Sequence, residues 1–323
     1  MRLILLLAIV ACVALPAPAV AQPRTFPSKP LRILLGYTPG GTADIVARLV
    51  GEKLTTTLGQ PVVVENRPGA SGNIAAQVAA KSTPDGHTML LGATAEMAIN
   101  HHVMKNMGFN PETDFVPIAV GFHVPLALLV PASSPHASLK DLLDSARREP
   151  GKLTFANSGN GTPGHLAGEM LTLKTNVKMT QVPYKGGAPA IVDLLGGRVD
   201  AYFLSVPGAM PHVRSGKVHM LAVSTARRNS SAPDTPSITE LGIPGFDFSL
   251  WGGFFAPVAT PRDIVTRLNR EVVLALTQED LQTRLAREGS EVIRTTPAEF
   301  ARFVQAESRK YADIIKQINY KPE

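Results

Sequence analysis

Short runs of apolar residues alternate along this chain with segments in which apolar residues recur at helical spacing. From residue 31 onward, the pattern predicts strand 31–37, a helix with apolar positions 45–54 that Gly59 closes, strand 62–66, helix 74–81 and strand 88–92. Strands that alternate with helices in this way form a mostly parallel sheet covered by helices. The predicted fold class is therefore α/β.

The same alternation restarts after residue 138 and predicts a second α/β unit. Its predicted elements are helix 139–148, strand 153–157, helix 165–174, strand 177–182, helix 189–195 and strands 200–204 and 219–224. Long extended stretches at 115–130 and 246–257 flank this unit. Three helices, 261–277, 279–288 and 297–318, then follow.

Two such units connected by two extended crossovers predict a two-lobed protein with a cleft and a hinge. We expect one lobe to contain residues 22–123 and 247–323, and the other to contain residues 124–246. The last three helices are expected to pack on the first lobe. Each lobe is predicted to be a mostly parallel sheet flanked by helices, with the ligand site between the lobes.

The first 21 residues have the three parts of a secretory signal peptide. Arg2 supplies the positive charge, residues 3–15 form an uncharged apolar stretch, and Ala19-Val20-Ala21 fits the small-x-small cleavage pattern. We therefore expect the mature chain to begin at Gln22 and to lie in the periplasm. The alternative is a lipoprotein cleavage site at Cys12, which comes very early for that role.

Composition and charge exclude several classes of function. Hydrophobic residues make up 44% of the chain and charged residues 18%, as in globular rather than disordered proteins. The single cysteine lies in the predicted leader, so the mature chain can use no thiol for catalysis or metal binding. The formal net charge of +6 comes from scattered basic residues, which favours a solvated surface over a nucleic-acid interface.

Four turns that are rich in Gly, Pro, Ser, Thr and Asn lie next to predicted helices, at 37–44, 67–73, 158–165 and 184–188. In a parallel sheet such turns meet at the carboxyl ends of the strands. Glycine allows close backbone approach, and free N–H groups at a helix start favour an anion. The turns predict a site for a carboxylate or phosphate, although ordinary α/β turns have the same composition.

The third turn also matches G-x-G-x-x-G, the dinucleotide fingerprint. That fingerprint requires an acidic residue about 20 positions later, and residues 181–185 contain none. The anion site is therefore favoured over a nucleotide site. No P-loop, H-E-x-x-H or G-x-S-x-G motif is present, so we predict no catalytic residues, no metal and no cofactor.

The candidate ligand-binding residues come from these turns and from the ends of the predicted strands. They are Tyr37, Thr38, Gly40, Gly41, Thr42, Asp44, Thr94, Ser158, Gly159, Thr162, His165, Lys185, Gly186, Gly187 and Ser205. Several have a second interpretation that the sequence leaves open. Thr42, Ser158, Thr162 and His165 fit helix starts, Asp44 fits a favourable first-turn position, and Lys185 and Tyr37 fit a solvated and a core side chain respectively.

The same turns resemble a known family, the Bug-type substrate-binding proteins of tripartite tricarboxylate transporters. The matching stretches are 37–44, 65–74, 157–169, 183–187 and 193–200, together with Trp251, Ala256-Pro257 and Pro261. The resemblance implies a type II periplasmic binding protein whose two lobes close on a small carboxylate. It also implies that the Pro39-Gly40-Gly41 turn grips one carboxylate through backbone amides and bridging waters, while the second lobe holds the rest of the ligand.

We therefore expect a non-enzymatic, exported solute-binding protein that passes a small carboxylate to the membrane components of such a transporter. The alternatives are a ligand-sensing partner of a membrane sensor kinase and, less favoured, a secreted hydrolase or lyase. A monomer is expected. The sequence does not distinguish dicarboxylates, tricarboxylates, acidic amino acids and aromatic acids as ligands.

Overall fold

The computed structural model describes residues 26–184, 186–287, 289–290 and 292–320. The predicted leader, the alternative cleavage site at Cys12, the predicted first mature residue Gln22 and the candidate ligand residue Lys185 lie outside the described residues. Within the described ranges the chain forms a mixed α/β fold in which two groups of strands share one long strand.

The first unit follows the predicted alternation of strands and helices. Its elements are β1 (Leu31–Leu35), α1 (Thr42–Leu58), β2 (Val62–Asn66), α2 (Asn73–Ala80) and β3 (Thr88–Ala93). β1 runs parallel to β2 on one side and to β3 on the other. Gly59 ends α1 in the left-handed conformation, with φ of 68°, and its N–H donates to the Thr55 carbonyl, as expected for a helix C-cap.

A π-helical turn, Ala95–Ile99, and the short helix α3 (Asn100–Val103) follow β3 and lead into β4 (Phe115–Pro131). The second unit then consists of α4 (Leu139–Arg148), β5 (Thr154–Asn157), α5 (Pro163–Thr175), β6 (Thr180–Pro183), α6 (Gly187–Leu195), β7 (Ala201–Ser205), α7 (Val206–Arg214) and β8 (Val218–Val223). β5 pairs in parallel with both β6 and β7.

The chain returns to the first unit through β9 (Ser249–Pro257), which is inserted between β3 and β4 and runs antiparallel to both. β4 belongs to both halves of the sheet. Its residues up to Pro125 pair with β9, whereas its residues from Leu126 onward pair with β7 and β8. Each half is therefore mostly parallel, with a single antiparallel strand among its described strands.

Three helices complete the fold: α8 (Arg262–Leu276), α9 (Glu279–Arg287) and α10 (Pro297–Gln317). α8 packs against α1, as expected for a helix on the first lobe. α10 differs from that expectation because it contacts both halves, packing against the π-helical turn and against α5. The ring of its Tyr311 contacts Phe248. Phe248 in turn contacts Phe246, and Phe246 stacks on Phe203 in the core of the second half.

Among the segments that differ from the predicted secondary structure are α7 and β6, and in both the reason is visible. α7 was not predicted because Pro207 and Pro211 interrupt the helical pattern, yet Pro207 lies in the first turn, where no N–H is needed. β6 begins at Thr180 rather than at residue 177, because Asn176 ends α5 in the left-handed conformation and residues 177–179 form the connection. None of the described helices has the length and apolar character required to cross a membrane.

Candidate functional site

A cleft of about 470 Å³ lies between the two halves of the sheet and is lined by residues of both. The predicted ligand residues that line it are Tyr37, Thr38, Gly41, Thr42, Thr94, Ser158, Thr162, Gly187 and Ser205. Gly40, Asp44, Gly159, His165 and Gly186 are not among its lining residues. The turns that were predicted to meet at the carboxyl ends of the strands are thus brought together by the fold.

A larger cavity of about 780 Å³ lies elsewhere, on the outer face of the second half between α4 and the segment 241–244. Its lining contains the side chains of Lys140, Arg147 and Lys174 but none of the four glycine-rich turns. A ligand site is marked by convergent polar groups from several loops rather than by volume alone. The cleft between the lobes is therefore the candidate site.

The turn between β1 and α1 presents backbone donors to this cleft. Gly41 is the N-cap of α1, with φ of −82° and ψ of 170°, and no side chain caps the helix. The first N–H groups of a helix have no partner within the helix, and the helix dipole makes them attractive to an anion. A Cβ built on Gly41 would meet no atom within 4 Å, so this position faces open space.

The neighbouring Gly40 was also predicted to donate its N–H to a ligand, but this donor is already used. The Gly40 N–H donates to Asp44 Oδ2 at 3.0 Å, in a backbone conformation with φ of 92° that favours glycine. The role of Gly40 is thus to shape the turn. The expected donors of the turn are the N–H groups that follow it.

Asp44 holds this turn from beneath rather than facing the cleft. It is buried, and it accepts hydrogen bonds from Asn66 Nδ2 at 2.9 Å and from Arg48 Nε at 3.0 Å as well as from Gly40. Burial alone would raise the pKa of Asp44, but these hydrogen bonds and the Arg48 charge outweigh it and lower the pKa to about 2. Asp44 is therefore ionised and paired within the protein. It is not available to bind an amine group of a ligand.

The second half contributes further helix starts to the cleft. α5 begins after Thr162, α6 begins at Gly187, and α7 begins after Ser205. The N-caps of α6 and α7 make no side-chain capping hydrogen bond, so the Gly187 and Val206 N–H groups have no side-chain cap. Each helix has one donor fewer in its first turn, because Pro189 and Pro207 have no N–H. Thr162 does cap its helix, weakly, through a contact of 3.4 Å from the His165 N–H.

Two residues of the 158–165 turn stabilise the turn instead of lining the cleft. His165 Nδ1 accepts from the Gly161 N–H at 3.1 Å, and its ring packs edge-on against Tyr320. Burial lowers the pKa of His165 to about 4, so the ring is neutral near pH 7. The Gly159 N–H donates to Asn157 Oδ1 at 3.0 Å.

The remaining lining is largely apolar and was mostly not predicted. It includes Phe122, Leu126, Tyr202, Leu204, Leu250 and Trp251. Trp251 and Leu250 lie at the start of β9, which is antiparallel to β3, so the start of β9 meets the end of β3 at the cleft. Among the described lining residues there is no Lys, Arg, His, Asp or Glu.

The Thr94 hydroxyl is committed to the protein as well. It donates to the Trp251 carbonyl and accepts from the Trp251 N–H, both at 2.9 Å. The indole N–H of Trp251 donates to Glu307 Oε2 on α10, also at 2.9 Å. These bonds fix the end of the cleft where β3, β9 and α10 meet.

One functional candidate, Glu96, carried no sequence signal that we recognised. It lies in the π-helical turn and is fully buried, and its Oε2 accepts from the Tyr37 hydroxyl at 2.6 Å. Burial raises the pKa of Glu96 to about 7, against the effect of hydrogen bonds from Tyr37 and the Ala93 N–H. The sequence signal that could have identified it is a single acidic residue in an otherwise apolar run just after the end of a predicted strand.

Comparison with known proteins matches most of the chain to one receptor family. Residues 46–320 match the family model described as tripartite tricarboxylate transporter family receptor. The chain belongs to this family. It is also 34% identical to the protein BugT of Bordetella pertussis over 313 residues, which cover 97% of this chain and 95% of BugT. The Bug-type resemblance is thereby confirmed.

Solved structures of related proteins have the same fold. The R. palustris protein Rpa4515, solved with adipate, has a TM-score of 0.82 and 37% identity, covering 92% of this chain and 100% of its own. MatC from Rhodopseudomonas palustris, solved with bound malate, has a TM-score of 0.77 and 33% identity, covering 90% of this chain and 100% of its own. The two-lobed α/β fold predicted from sequence is confirmed.

Proposed function

We propose that this protein is an exported receptor that binds a small organic carboxylate between its lobes and delivers it to the membrane components of a tripartite tricarboxylate-type transporter. One observation carries the proposal. The starts of α1, α6 and α7, each without a side-chain cap, meet at a cleft whose described lining has no charged side chain. Oriented N–H groups in such a setting bind an anion by charge-assisted hydrogen bonds.

The lining also supports a ligand class. Phe122, Leu204 and Leu250 contribute apolar side chains to the cleft lining, which favours a carboxylate with an apolar body over a heavily hydroxylated acid. No acidic side chain of the described lining is available to pair with an ammonium group. We therefore favour an aliphatic or aromatic acid over an amino acid. The adipate bound by the related Rpa4515 is of this class.

We further infer that the protein performs no chemistry and works by closure of its lobes. The described cleft lining offers Ser and Thr hydroxyls but no base to activate them. The predicted lobes, 22–123 with 247–323 and 124–246, agree with the change of pairing partner along β4 between Pro125 and Leu126. A few strand residues at this change could absorb a hinge rotation while each lobe stays rigid.

A direct binding measurement tests the proposal. Trp251 is the single tryptophan of the sequence, and its backbone bonds Thr94 at the cleft, so its fluorescence is the first signal to follow during a titration. We would titrate the mature protein with adipate, malate, glutamate and adipamide, and verify each affinity by calorimetry. Adipate is expected to bind most tightly. The neutral adipamide is expected to bind poorly, because it lacks the charge that the N–H groups favour.

Equal binding of adipamide and adipate would refute the anion site, and the absence of binding by every acid would refute the receptor function. Export is tested separately by the intact mass of protein recovered from the periplasm. A chain that begins at Gln22 and carries no lipid is expected. A mass that retains Cys12 with attached lipid would instead place the protein on a membrane surface.

A further inference from the structure

Glu96 lies directly beneath the cleft, and the proposed function leaves it unused. Its neighbours Thr94 and Ala95 line the cleft, while its own side chain is fully buried. The carboxylate packs on the backbone of Gly72, where a Cβ would lie 2.5 Å from Glu96 Cδ. It accepts hydrogen bonds from the Tyr37 hydroxyl at 2.6 Å, from the Ala93 N–H at 2.9 Å and from its own N–H, and none of these donors carries a positive charge.

The elements packed around Glu96 supply no cation to balance it. The turn Ala70–Gly72 and strand β3 contain no titratable side chain. His101 and His102 on α3 are bonded to Ser308, and Glu307 on α10 is bonded to Trp251 and Lys310. Within the part of the chain that the structure describes, Tyr37 is thus the only titratable group bonded to Glu96.

An ionised Glu96 disfavours an anion in the cleft for two physical reasons. A buried negative charge without a cation repels a ligand carboxylate across a medium of low dielectric constant. An ionised carboxylate is also an acceptor only, so the Tyr37 hydroxyl must donate its proton to Glu96 and cannot donate into the cleft. A protonated Glu96 removes the repulsion and can donate to the Tyr37 oxygen, which leaves the tyrosine proton for a ligand.

We propose, on the basis of the carboxylate-receptor function above, that Glu96 takes up one proton when a carboxylate binds in the cleft. Ligand binding is then coupled to proton uptake by a residue that the ligand does not contact. Tyr37 lies between Glu96 and the ligand. The coupling is reciprocal, because whatever favours the protonated form of Glu96 must also favour the bound ligand. Glu96 is in this sense a positioning residue for Tyr37 and sets the affinity of the site.

The expected size of the effect follows from the buried state of Glu96. Burial places the pKa of Glu96 at about 7, so most of the molecules carry the proton at pH 6 and few do at pH 8. If only the protonated form binds, the apparent dissociation constant rises by about tenfold between these two pH values. An aliphatic carboxylate ligand itself stays ionised over this range, since such groups titrate near about 4.3.

Adipate is the probe for the test, and its dissociation constant is measured at pH 6 and pH 8 by Trp251 fluorescence. Calorimetry in two buffers of different ionisation enthalpy then counts the protons taken up on binding at pH 7.5. Two variants accompany the wild type. Glu96→Gln is expected to bind adipate with similar affinity at both pH values and without proton uptake, because its amide donates to Tyr37 at any pH. Tyr37→Phe is expected to bind more weakly at pH 6.

Asp193→Asn provides a matched control. Asp193 Oδ2 accepts from the Tyr184 hydroxyl at 2.8 Å, and neither residue lines the cleft. Unlike Glu96, Asp193 is also paired with a cation, since its Oδ1 accepts from Arg198 at 2.7 Å. This variant should keep the wild-type pH dependence and proton uptake. Retention in Asp193→Asn would show that the dependence does not come from tyrosine–carboxylate pairs in general. Its loss in Glu96→Gln would show that it does not come from the ionisation of adipate, which is the same for every variant.

The outcomes separate this inference from the function on which it rests. Adipate binding that weakens about tenfold from pH 6 to pH 8 in the wild type, but not in Glu96→Gln, supports it. Binding that is equally tight at both pH values, or a Glu96→Gln variant that keeps the wild-type proton uptake, overturns it and leaves the receptor function intact. No binding of adipate at either pH would overturn both.

Discussion

Replacement of Gly41 by a larger residue should weaken ligand binding without unfolding the protein. Gly41 has φ of −82°, which any residue adopts, and a Cβ at this position meets no atom within 4 Å. Valine gives up the N-cap preference of glycine, at a cost of up to about 1 kcal/mol. It also restricts the unfolded chain, which stabilises by about 0.4–1 kcal/mol. The free energy of unfolding should therefore change by less than about 0.5 kcal/mol.

Binding should respond far more strongly, because the added methyl groups occupy the space in front of the first N–H groups of α1. We expect the dissociation constant to rise at least tenfold, which corresponds to about 1.4 kcal/mol. A wild-type protein with ligand at about 100 times its dissociation constant is stabilised by about 2.7 kcal/mol. The same ligand concentration would stabilise Gly41→Val by only about 1.4 kcal/mol or less.

Thermal unfolding with and without adipate measures both quantities in one experiment. Without ligand the midpoint of Gly41→Val should lie within about 2 °C of the wild type. The ligand-induced shift should be halved or smaller, and Gly41→Ala should lie between the two proteins. A variant that unfolds at the wild-type temperature and keeps the full ligand-induced shift would show that this turn does not contact the ligand.

Three further outcomes test the architecture of the site. Asp44→Asn should lower the free energy of unfolding by about 2 kcal/mol at pH 7. Because the pKa of Asp44 is lowered to about 2 in the folded protein, this difference from wild type should persist above pH 4 and shrink as the pH falls toward 2; a difference independent of pH would contradict it. Ser224→Ala should cost about 1–3 kcal/mol in urea unfolding, because its buried hydroxyl joins the Leu126 N–H to the Phe248 carbonyl at the crossover, and an unchanged midpoint would argue against this role. Small-angle scattering should give a smaller radius of gyration with saturating adipate than without, whereas an identical radius would indicate a site that is already closed.

Local sequence signals were sufficient for most of the fold. The bounds of β2 (Val62–Asn66) and α4 (Leu139–Arg148) agree with the predicted ranges. In the case of α4 the cause is visible, since Ser138 caps its start by accepting from the Asp141 N–H. Patterns failed where tertiary contacts override local preference, as in α7 with its two prolines and in the π-helical turn Ala95–Ile99.

The site was harder to predict, because whether a side chain faces the cleft depends on contacts with residues that are distant in sequence. Asp44 was placed correctly in the first turn of α1, but Asn66 on the neighbouring strand decides that it points beneath the turn. Trp251 and Leu250 reach the cleft only because β9 runs antiparallel to β3, an orientation that no local pattern reports. Glu96 is a buried acid whose partner Tyr37 lies 59 positions earlier in the chain.

The late insertion of β9 between β3 and β4 bears on the order in which the chain can acquire its structure. The strands of the second half all precede residue 224, so that half can pair as soon as they are available. The first half cannot close, because β3 and β4 have no shared edge until Ser249–Pro257 arrives between them. Unpaired strand edges are templates for association with other chains. In a chain that emerges from its amino end, the edges of β3 and β4 therefore stay exposed until nearly four-fifths of the chain has appeared. Until then they must be kept from pairing with strands of other chains.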